Sequence, residues 1–117
     1  MRPLLIHFSF EFYEEGGPIF VQIGGEGPGI SSAWLNYGAW IDWAKKEKAA
    51  LFILEHRYYG ESKPVSDMST ENMKFLSSRQ ALHDLATFMA NMTERFNISR
   101  PRPWVSFGCS YAGSLSA

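Results

Sequence analysis

An apolar run, Trp104-Val105-Ser106-Phe107, passes directly into a turn of small residues with a serine at its apex, Gly108-Cys109-Ser110-Tyr111-Ala112-Gly113. A serine held where a strand turns sharply into a helix takes φ > 0, which requires small residues two positions before and after it. Gly108 and Ala112 meet that requirement. The pattern predicts a nucleophile elbow, in which the Ser110 hydroxyl is exposed above the end of a sheet.

The same turn would supply part of an oxyanion hole. In an elbow the backbone N–H of the next residue, here Tyr111, lies beside the serine and can stabilise a developing negative charge. The motif departs from G-x-S-x-G, because Ala112 holds its last position and the glycine follows at Gly113. Serines between small residues also occur in ordinary turns that end a strand, so the interpretation depends on the rest of the chain.

Two further apolar runs, at residues 18–23 and 49–54, predict buried strands. Between and after them, helical periodicity predicts helices at residues 34–46 and from Ser77 or Ser78 to Phe96. The second helix is expected to bury one face, formed by Leu82, Leu85, Ala86, Met89 and Phe96.

Strands that are apolar on both faces and alternate with helices indicate a parallel sheet of the α/β class. Catalytic residues in such folds lie at the carboxyl ends of the strands. Three segments of this chain occupy those positions, namely residues 24–27, residues 55–57 and Ser110.

Charge and cysteine content exclude several other classes of protein. The 117 residues carry a net charge of −1 with scattered charges, which gives no surface for nucleic acid. The apolar runs are far shorter than the roughly 20 residues that span a bilayer. Cys109 is the only cysteine and is expected to be buried beside the turn, without a disulfide. No pattern implies a metal or an organic cofactor.

Two N-glycosylation acceptor patterns begin at Asn91 and Asn97. Asn91 is predicted to face solvent, because it lies on the side of its helix opposite Leu82. Together the two patterns favour a secretory-pathway protein. Residues 1–10 contain no recognisable signal peptide, so the natural N-terminus is expected to lie further upstream.

With these residues in view, the chain resembles the family of secreted and lysosomal serine peptidases that includes lysosomal Pro-X carboxypeptidase, dipeptidyl peptidase II and thymus-specific serine protease. The resemblance covers residues 10–117, is closest to the thymus-specific branch, and leaves residues 1–9 unmatched. Its blocks are Gly16-Gly17-Pro18-Ile19-Phe20, Gly24-Gly25-Glu26-Gly27-Pro28, Leu54-Glu55-His56-Arg57-Tyr58-Tyr59-Gly60-Glu61-Ser62, Phe75-Leu76-Ser77-Ser78-Arg79-Gln80-Ala81-Leu82 and Gly108-Cys109-Ser110-Tyr111-Ala112-Gly113-Ser114-Leu115.

The resemblance implies the N-terminal part of an α/β-hydrolase fold, cut shortly after the nucleophile, with residues 10–117 as a partial catalytic domain. It implies a serine exopeptidase that cleaves peptides next to proline through an acyl-enzyme on Ser110. The oxyanion hole would use the N–H of Tyr111 and one from Gly25 or Glu26. A homodimer of the full-length protein is also compatible with the family.

In this fold the triad runs Ser, Asp, His along the chain, so both partners of Ser110 are expected beyond Ala117 and the chain alone is expected to be inactive. His56 ends a strand near the elbow and is the best placed substitute base. A structural role for it is favoured, as for Glu55, Arg57 and Glu61, which are expected to brace their loop.

The sequence leaves two alternatives to a peptidase. An esterase could use the same elbow, although the block at residues 54–62 argues against it. A non-catalytic short isoform is the other alternative. The sequence does not distinguish removal of a C-terminal residue from removal of an N-terminal dipeptide.

Overall fold

The computed structural model of the chain describes residues 4–26, 29–62, 69–98 and 102–117. The strands in these residues are β1 (Ile6–Ser9), β2 (Ile19–Ile23), β3 (Ala50–Leu54) and β4 (Trp104–Phe107). The α-helices are α1 (Ala39–Glu47), α2 (Ser78–Arg95) and α3 (Tyr111–Ser116), with short 3₁₀ turns at Ser32–Leu35 and Asn72–Phe75.

These strands form one sheet in the order β1-β3-β2-β4. β2 runs parallel to both neighbours, with Ile19 opposite Ala50 of β3 and Trp104 of β4. The prediction of parallel strands is confirmed for the three apolar runs. Because parallel neighbours end at the same edge of a sheet, the segments that follow β2, β3 and β4 emerge together there.

The expectation of an entirely parallel sheet is wrong, because β1 pairs antiparallel with β3, with Ile6 opposite Leu54. This strand lies in residues 1–9, outside the sequence blocks on which the resemblance was based. Its four residues alternate between apolar and polar, which is typical of a half-buried strand and differs from the continuous apolar runs that predicted the other three strands. The ring of Phe8 lies 6.2 Å from that of Phe52, and this aromatic contact helps hold β1 along β3.

Helices cover both faces of the sheet. α1 lies on one face, in a buried cluster made of Phe20, Trp40, Ile41, Ala44, Ala49, Leu51 and Ile53. The alternate residues of the same strands point to the other face, where α2 completes a second cluster of Ile19, Val21, Ala50, Phe52, Leu54, Phe88, Met92 and Ile98. α3 joins α2 and β2 in a third cluster of Ile23, Ala81, Ala112 and Leu115. This layering is that of the α/β class.

Among the described helices, none is both long enough and apolar enough to cross a membrane.

The helix predicted at residues 34–46 is wrong at its start, because α1 begins only at Ala39. Gly38 has φ 104°, which lies outside the right-handed helical region and interrupts the helix. The residues before it form a separate 3₁₀ turn. The indole N–H of Trp40 donates to the carbonyl of Trp34 at 2.9 Å, so this turn stays attached to α1.

The start of α2 is confirmed. The Ser77 hydroxyl oxygen accepts the backbone N–H of Gln80 at 3.1 Å, as an N-cap residue does. This bond satisfies one of the N–H groups that the first turn of a helix leaves without a partner.

The predicted buried face of α2 is rotated by about one residue. Leu82 is 45% exposed, whereas Ala81, Phe88 and Met92 are buried. The ring of Phe88 packs edge-on against that of Phe52 at 5.6 Å. The apolar residues of α2 form two overlapping faces of the helix, and contact with the sheet decides which face is buried. The face that carries the larger aromatic side chain, Phe88, is the buried one.

Candidate active site

Ser110 occupies the turn between β4 and α3. Its backbone has φ 56° and ψ −125°, a conformation that non-glycine residues rarely adopt and that costs about 1–3 kcal/mol. The residue is exposed, and its side chain does not cap α3. A strained, exposed serine at the carboxyl edge of the sheet has the geometry that the elbow motif predicts.

Small residues on both sides make this turn sterically feasible. A Cβ atom at Gly108 would overlap the carbonyl oxygen of Ala112, so only glycine fits at that position. Ala112 is 2% exposed, and its methyl group belongs to the cluster with Leu115. Alanine therefore replaces the usual last glycine without strain and adds apolar contact.

The loop after β2 passes beside the start of α3. A Cβ atom at Gly25 would lie 3.4 Å from the Cβ of Ala112, which is ordinary contact distance. Glu26 follows and is exposed at the same edge. Among the described residues, no acceptor is hydrogen-bonded to the backbone N–H of Gly25, Glu26 or Tyr111. Residues 27 and 28 of this loop lie outside the described residues.

Glu55 braces the loops around this edge, as expected. The residue is buried, with 2% of its surface exposed. One carboxylate oxygen accepts the N–H groups of Glu61 at 2.8 Å and Ser62 at 2.7 Å, and the other accepts that of Ile30 at 3.2 Å. The Glu61 side chain is exposed, so only its backbone takes part in the bracing. This carboxylate ties the loop after β2 to the loop after β3.

Arg57 forms an ion pair with Asp84, a partner outside its own loop that no sequence motif indicated. Its guanidinium donates two hydrogen bonds to the Asp84 carboxylate of α2, at 2.6 and 2.8 Å. The hydrogen bond and the charge of Asp84 raise the pKa of Arg57 above its ordinary value, against the opposing effect of burial. The pair fixes α2 against the end of β3.

His56 is buried next to Tyr111 and has no hydrogen bond to Ser110 among the described residues. Its Nε2 atom lies 3.0 Å from the Tyr111 hydroxyl, and its Nδ1 atom lies 2.7 Å from the Arg57 carbonyl oxygen. The Tyr111 hydroxyl also lies 2.9 Å from that of Ser78. Sequence reasoning used only the backbone of Tyr111, and no motif indicated these side-chain partners.

The other two histidines lie on other elements of the fold. His83 is exposed on α2, and His7 lies in β1 opposite Ile53. No side chain in the described part of the chain is hydrogen-bonded to the Ser110 hydroxyl. Within that same part, no cluster of three or more His, Cys, Asp or Glu residues could hold a metal ion.

The expectation that Cys109 is buried is wrong, because its side chain is exposed. Cys109 lies in the same turn as Ser110, beyond the end of β4, and is exposed with it. Cys109 lines one end of a cleft of about 300 Å³ on the α1 face. The aromatic side chains of Trp34, Tyr37, Trp40 and Trp43 line the same cleft.

Both candidate glycosylation sites have accessible asparagines. Asn91 is exposed on α2, as predicted, and Asn97 is exposed just after the helix with φ 51°. The Thr93 hydroxyl of the first pattern donates to the carbonyl of Met89 at 2.7 Å. The last residue of the second pattern, Ser99, lies outside the described residues.

With the elbow and its loops in place, the chain can be compared with known proteins. Its sequence matches the family described as Serine carboxypeptidase S28 over residues 6–117. The chain belongs to the S28 family. The resemblance that the sequence motifs indicated is confirmed, and the S28 match extends into β1.

Individual relatives agree with the S28 assignment. A Caenorhabditis elegans protein provisionally named a serine protease is 49% identical over 109 residues, which are 92% of this chain and 21% of that protein. The human thymus-specific serine protease is 42% identical over 104 residues, 88% of this chain and 20% of the human protein. The C. elegans prolyl carboxy peptidase like protein 5 is 37% identical over 115 residues, 93% of this chain and 22% of that protein. This S28 chain spans about a fifth of the length of the curated relatives it matches.

Proposed function

We propose that this chain is the nucleophile-bearing part of an α/β-hydrolase-type serine exopeptidase, and that Ser110 forms the acyl-enzyme. The observation that carries the proposal is the conformation of Ser110, which is exposed at φ 56° between β4 and α3. Strain of this kind persists only where surrounding structure enforces it, and it concentrates at functional sites. Membership of the S28 family supports the same assignment.

In the proposed reaction the Ser110 oxygen attacks the carbonyl carbon of a peptide bond while its proton passes to a general base. The carbonyl oxygen becomes an oxyanion, which the N–H of Tyr111 and one N–H from Gly25 or Glu26 stabilise. All three N–H groups lack partners among the described residues. The C–N bond then breaks, the base returns its proton to the leaving amine, and water hydrolyses the ester on Ser110.

The general base and the acid that orients it are proposed to be a His and an Asp from a part of the protein outside these residues. His56 is hydrogen-bonded to Tyr111 instead of Ser110, and His7 and His83 lie on β1 and α2. A serine hydroxyl without a base is a weak nucleophile. The 117-residue chain by itself is therefore proposed to be inactive.

The proposed substrates are peptides cleaved next to a proline residue. Support comes from the sequence motifs shared with Pro-X carboxypeptidase and dipeptidyl peptidase II, and from the relative named a prolyl carboxy peptidase like protein. The proposed location is the secretory pathway, with a lysosomal, endosomal or secreted protein. The exposed side chains of Asn91 and Asn97 are consistent with glycosylation there.

A fluorophosphonate probe tests the assignment, because it modifies only an activated serine. In the complete gene product we expect one adduct, on Ser110, together with hydrolysis of proline-containing peptides. Ser110→Ala abolishes both activities. Ser114→Ala, which changes an exposed serine one helical turn later, leaves them intact.

Three outcomes would overturn parts of the proposal. An adduct on a different serine would contradict the assignment of Ser110. Faster hydrolysis of short acyl esters than of any peptide would favour an esterase. Labelling of the isolated 117-residue chain would contradict its proposed inactivity.

A further inference from the structure

The phenol of Tyr111 lies between two hydrogen-bonding groups from different parts of the fold. The Nε2 atom of His56, which follows β3, lies 3.0 Å from the phenol oxygen. The hydroxyl of Ser78, the first residue of α2, lies 2.9 Å from the same oxygen. Tyr111 itself begins α3 and directly follows Ser110. One phenol oxygen thus links the end of β3, the start of α2 and the elbow.

The chemistry of the groups fixes the direction of these bonds. A backbone carbonyl only accepts, so the 2.7 Å contact with Arg57 requires the proton of the neutral His56 ring to be on Nδ1. The Nε2 atom then carries a lone pair and accepts the phenol O–H of Tyr111. The Tyr111 oxygen in turn accepts the O–H of Ser78. The bonds run in one direction from Ser78 through Tyr111 to His56.

We propose that His56 is a positioning residue for the Ser110 site, acting through the side chain of Tyr111. This inference rests on the proposed function. His56 is 4% exposed, and its ring centroid lies 5.1 Å from that of Tyr59 and 5.4 Å from that of Tyr111. Packing therefore fixes the orientation of the ring, and the ring fixes the phenol.

The hydrogen-bonded phenol of Tyr111 restrains the elbow through the peptide unit that joins Ser110 and Tyr111. This peptide unit supplies the N–H proposed for the oxyanion, and its rotation changes both the direction of that N–H and the ψ of −125° at Ser110. α3 has only six residues, and its buried contacts are those of Ala112 and Leu115. The phenol therefore adds a third anchor, at the end of the helix where the chemistry is proposed to occur.

Two substitutions at His56 separate its two hydrogen bonds. Glutamine can place its side-chain oxygen near the position of Nε2 and accept the Tyr111 hydroxyl, whereas asparagine can replace only the Nδ1 bond to Arg57. In the complete gene product we expect His56→Asn to lower kcat about 10- to 100-fold with KM nearly unchanged, as for a misplaced catalytic group. His56→Gln should keep kcat within about threefold, because the phenol stays anchored. His83→Asn and His83→Gln, at an exposed position of α2, are matched controls without effect.

A double-mutant cycle covers the case in which one variant folds poorly. Tyr111→Phe keeps the aromatic ring and should lower kcat as much as His56→Asn does. The two changes together should cost no more than either one alone, because both break the same bond. Additive losses, equal effects of Asn and Gln at His56, or a change confined to KM would overturn the inference.

The position of the imidazole proton is measured independently of any activity. ¹⁵N NMR of the unmodified protein at mildly alkaline pH should show a protonated Nδ1 and an unprotonated Nε2 at His56. The opposite tautomer would overturn the inference even if the protein is a peptidase. If the protein hydrolyses no peptide and the probe does not label it, the proposed function has failed, and the tautomer still reports on the hydrogen bonds of His56.

Discussion

Replacement of Glu55 by glutamine tests whether a single buried carboxylate holds the loops of the site together. In the native chain one carboxylate oxygen accepts two N–H groups, from Glu61 and Ser62, and the other accepts one, from Ile30. An amide keeps only one acceptor oxygen. In Glu55→Gln the oxygen can still serve Glu61 and Ser62, and the NH₂ group then faces the N–H of Ile30.

The expected cost follows from these three bonds. The unsatisfied N–H of Ile30 costs about 1 kcal/mol or slightly more. Loss of the negative charge weakens each of the other two bonds by about 0.5–1 kcal/mol, because charge-assisted bonds are roughly twice as strong as neutral ones. Burying a neutral amide in place of a charge offsets part of this loss. We expect Glu55→Gln to lower the free energy of unfolding by about 2 kcal/mol.

Urea unfolding measures the total cost, and amide hydrogen exchange locates it. The midpoint should fall without a change in the slope of the unfolding free energy against urea. The amide of Ile30 should lose more protection than those of Glu61 and Ser62. Glu61→Gln, which changes an exposed carboxylate in the same loop, is the control and should alter stability by less than about 0.5 kcal/mol. Unchanged protection at Ile30 in Glu55→Gln would refute this account of the loop.

Three further predictions follow from other contacts. Gly108→Ala should lower the rate of fluorophosphonate labelling at least about 100-fold, because the new methyl group overlaps the Ala112 carbonyl and displaces the elbow; unchanged labelling would contradict the steric reasoning. Arg57→Gln should destabilise the fold by about 3 kcal/mol, since it leaves the Asp84 carboxylate without its cation. Because the pKa of Arg57 is raised in the folded state, the stability that Arg57 contributes is complete below its unfolded-state pKa and is lost only as pH rises through the still higher folded-state pKa. The loss of unfolding free energy in Arg57→Gln, measured by urea unfolding, should therefore be the same at about pH 6 and about pH 9. Leu85→Ala, at a position packed against two buried clusters, should cost about 2 kcal/mol, whereas Leu82→Ala on the exposed side should cost less than about 1 kcal/mol; similar losses from the two changes would contradict the orientation of α2.

The parts of the fold that were predictable are those in which local sequence and tertiary contact agree. β2 and β3 are short apolar runs, and the sheet buries them as predicted. The burial predicted for the apolar run of β4 is wrong, because β4 lies at the edge of the sheet and Val105 is 40% exposed. The conformation of Ser110 was predictable for a similar reason. So tight a turn requires a residue without a side chain two positions before the serine, and Gly108 meets that requirement.

The wrong predictions arose where tertiary contact decided the outcome. β1 alternates apolar and polar residues over only four positions, which is a weak strand signal, and its pairing with β3 and the rings around Phe8 place it in the sheet. Helical periodicity alone allows either Leu82 or Phe88 to lie on the buried face of α2, and the packing against Phe52 selects Phe88. The link from His56 to Tyr111 joins residues 55 positions apart in the chain, beyond the reach of any local pattern.

The most direct test of the central claim is the crystal structure of the complete gene product after reaction with a phosphonate inhibitor. We predict phosphorus bonded to the Ser110 oxygen, with a phosphonyl oxygen about 2.7–3.1 Å from the backbone nitrogen of Tyr111 and from that of Gly25 or Glu26. Phosphorus on another residue would contradict the proposal, as would a phosphonyl oxygen directed away from both loops.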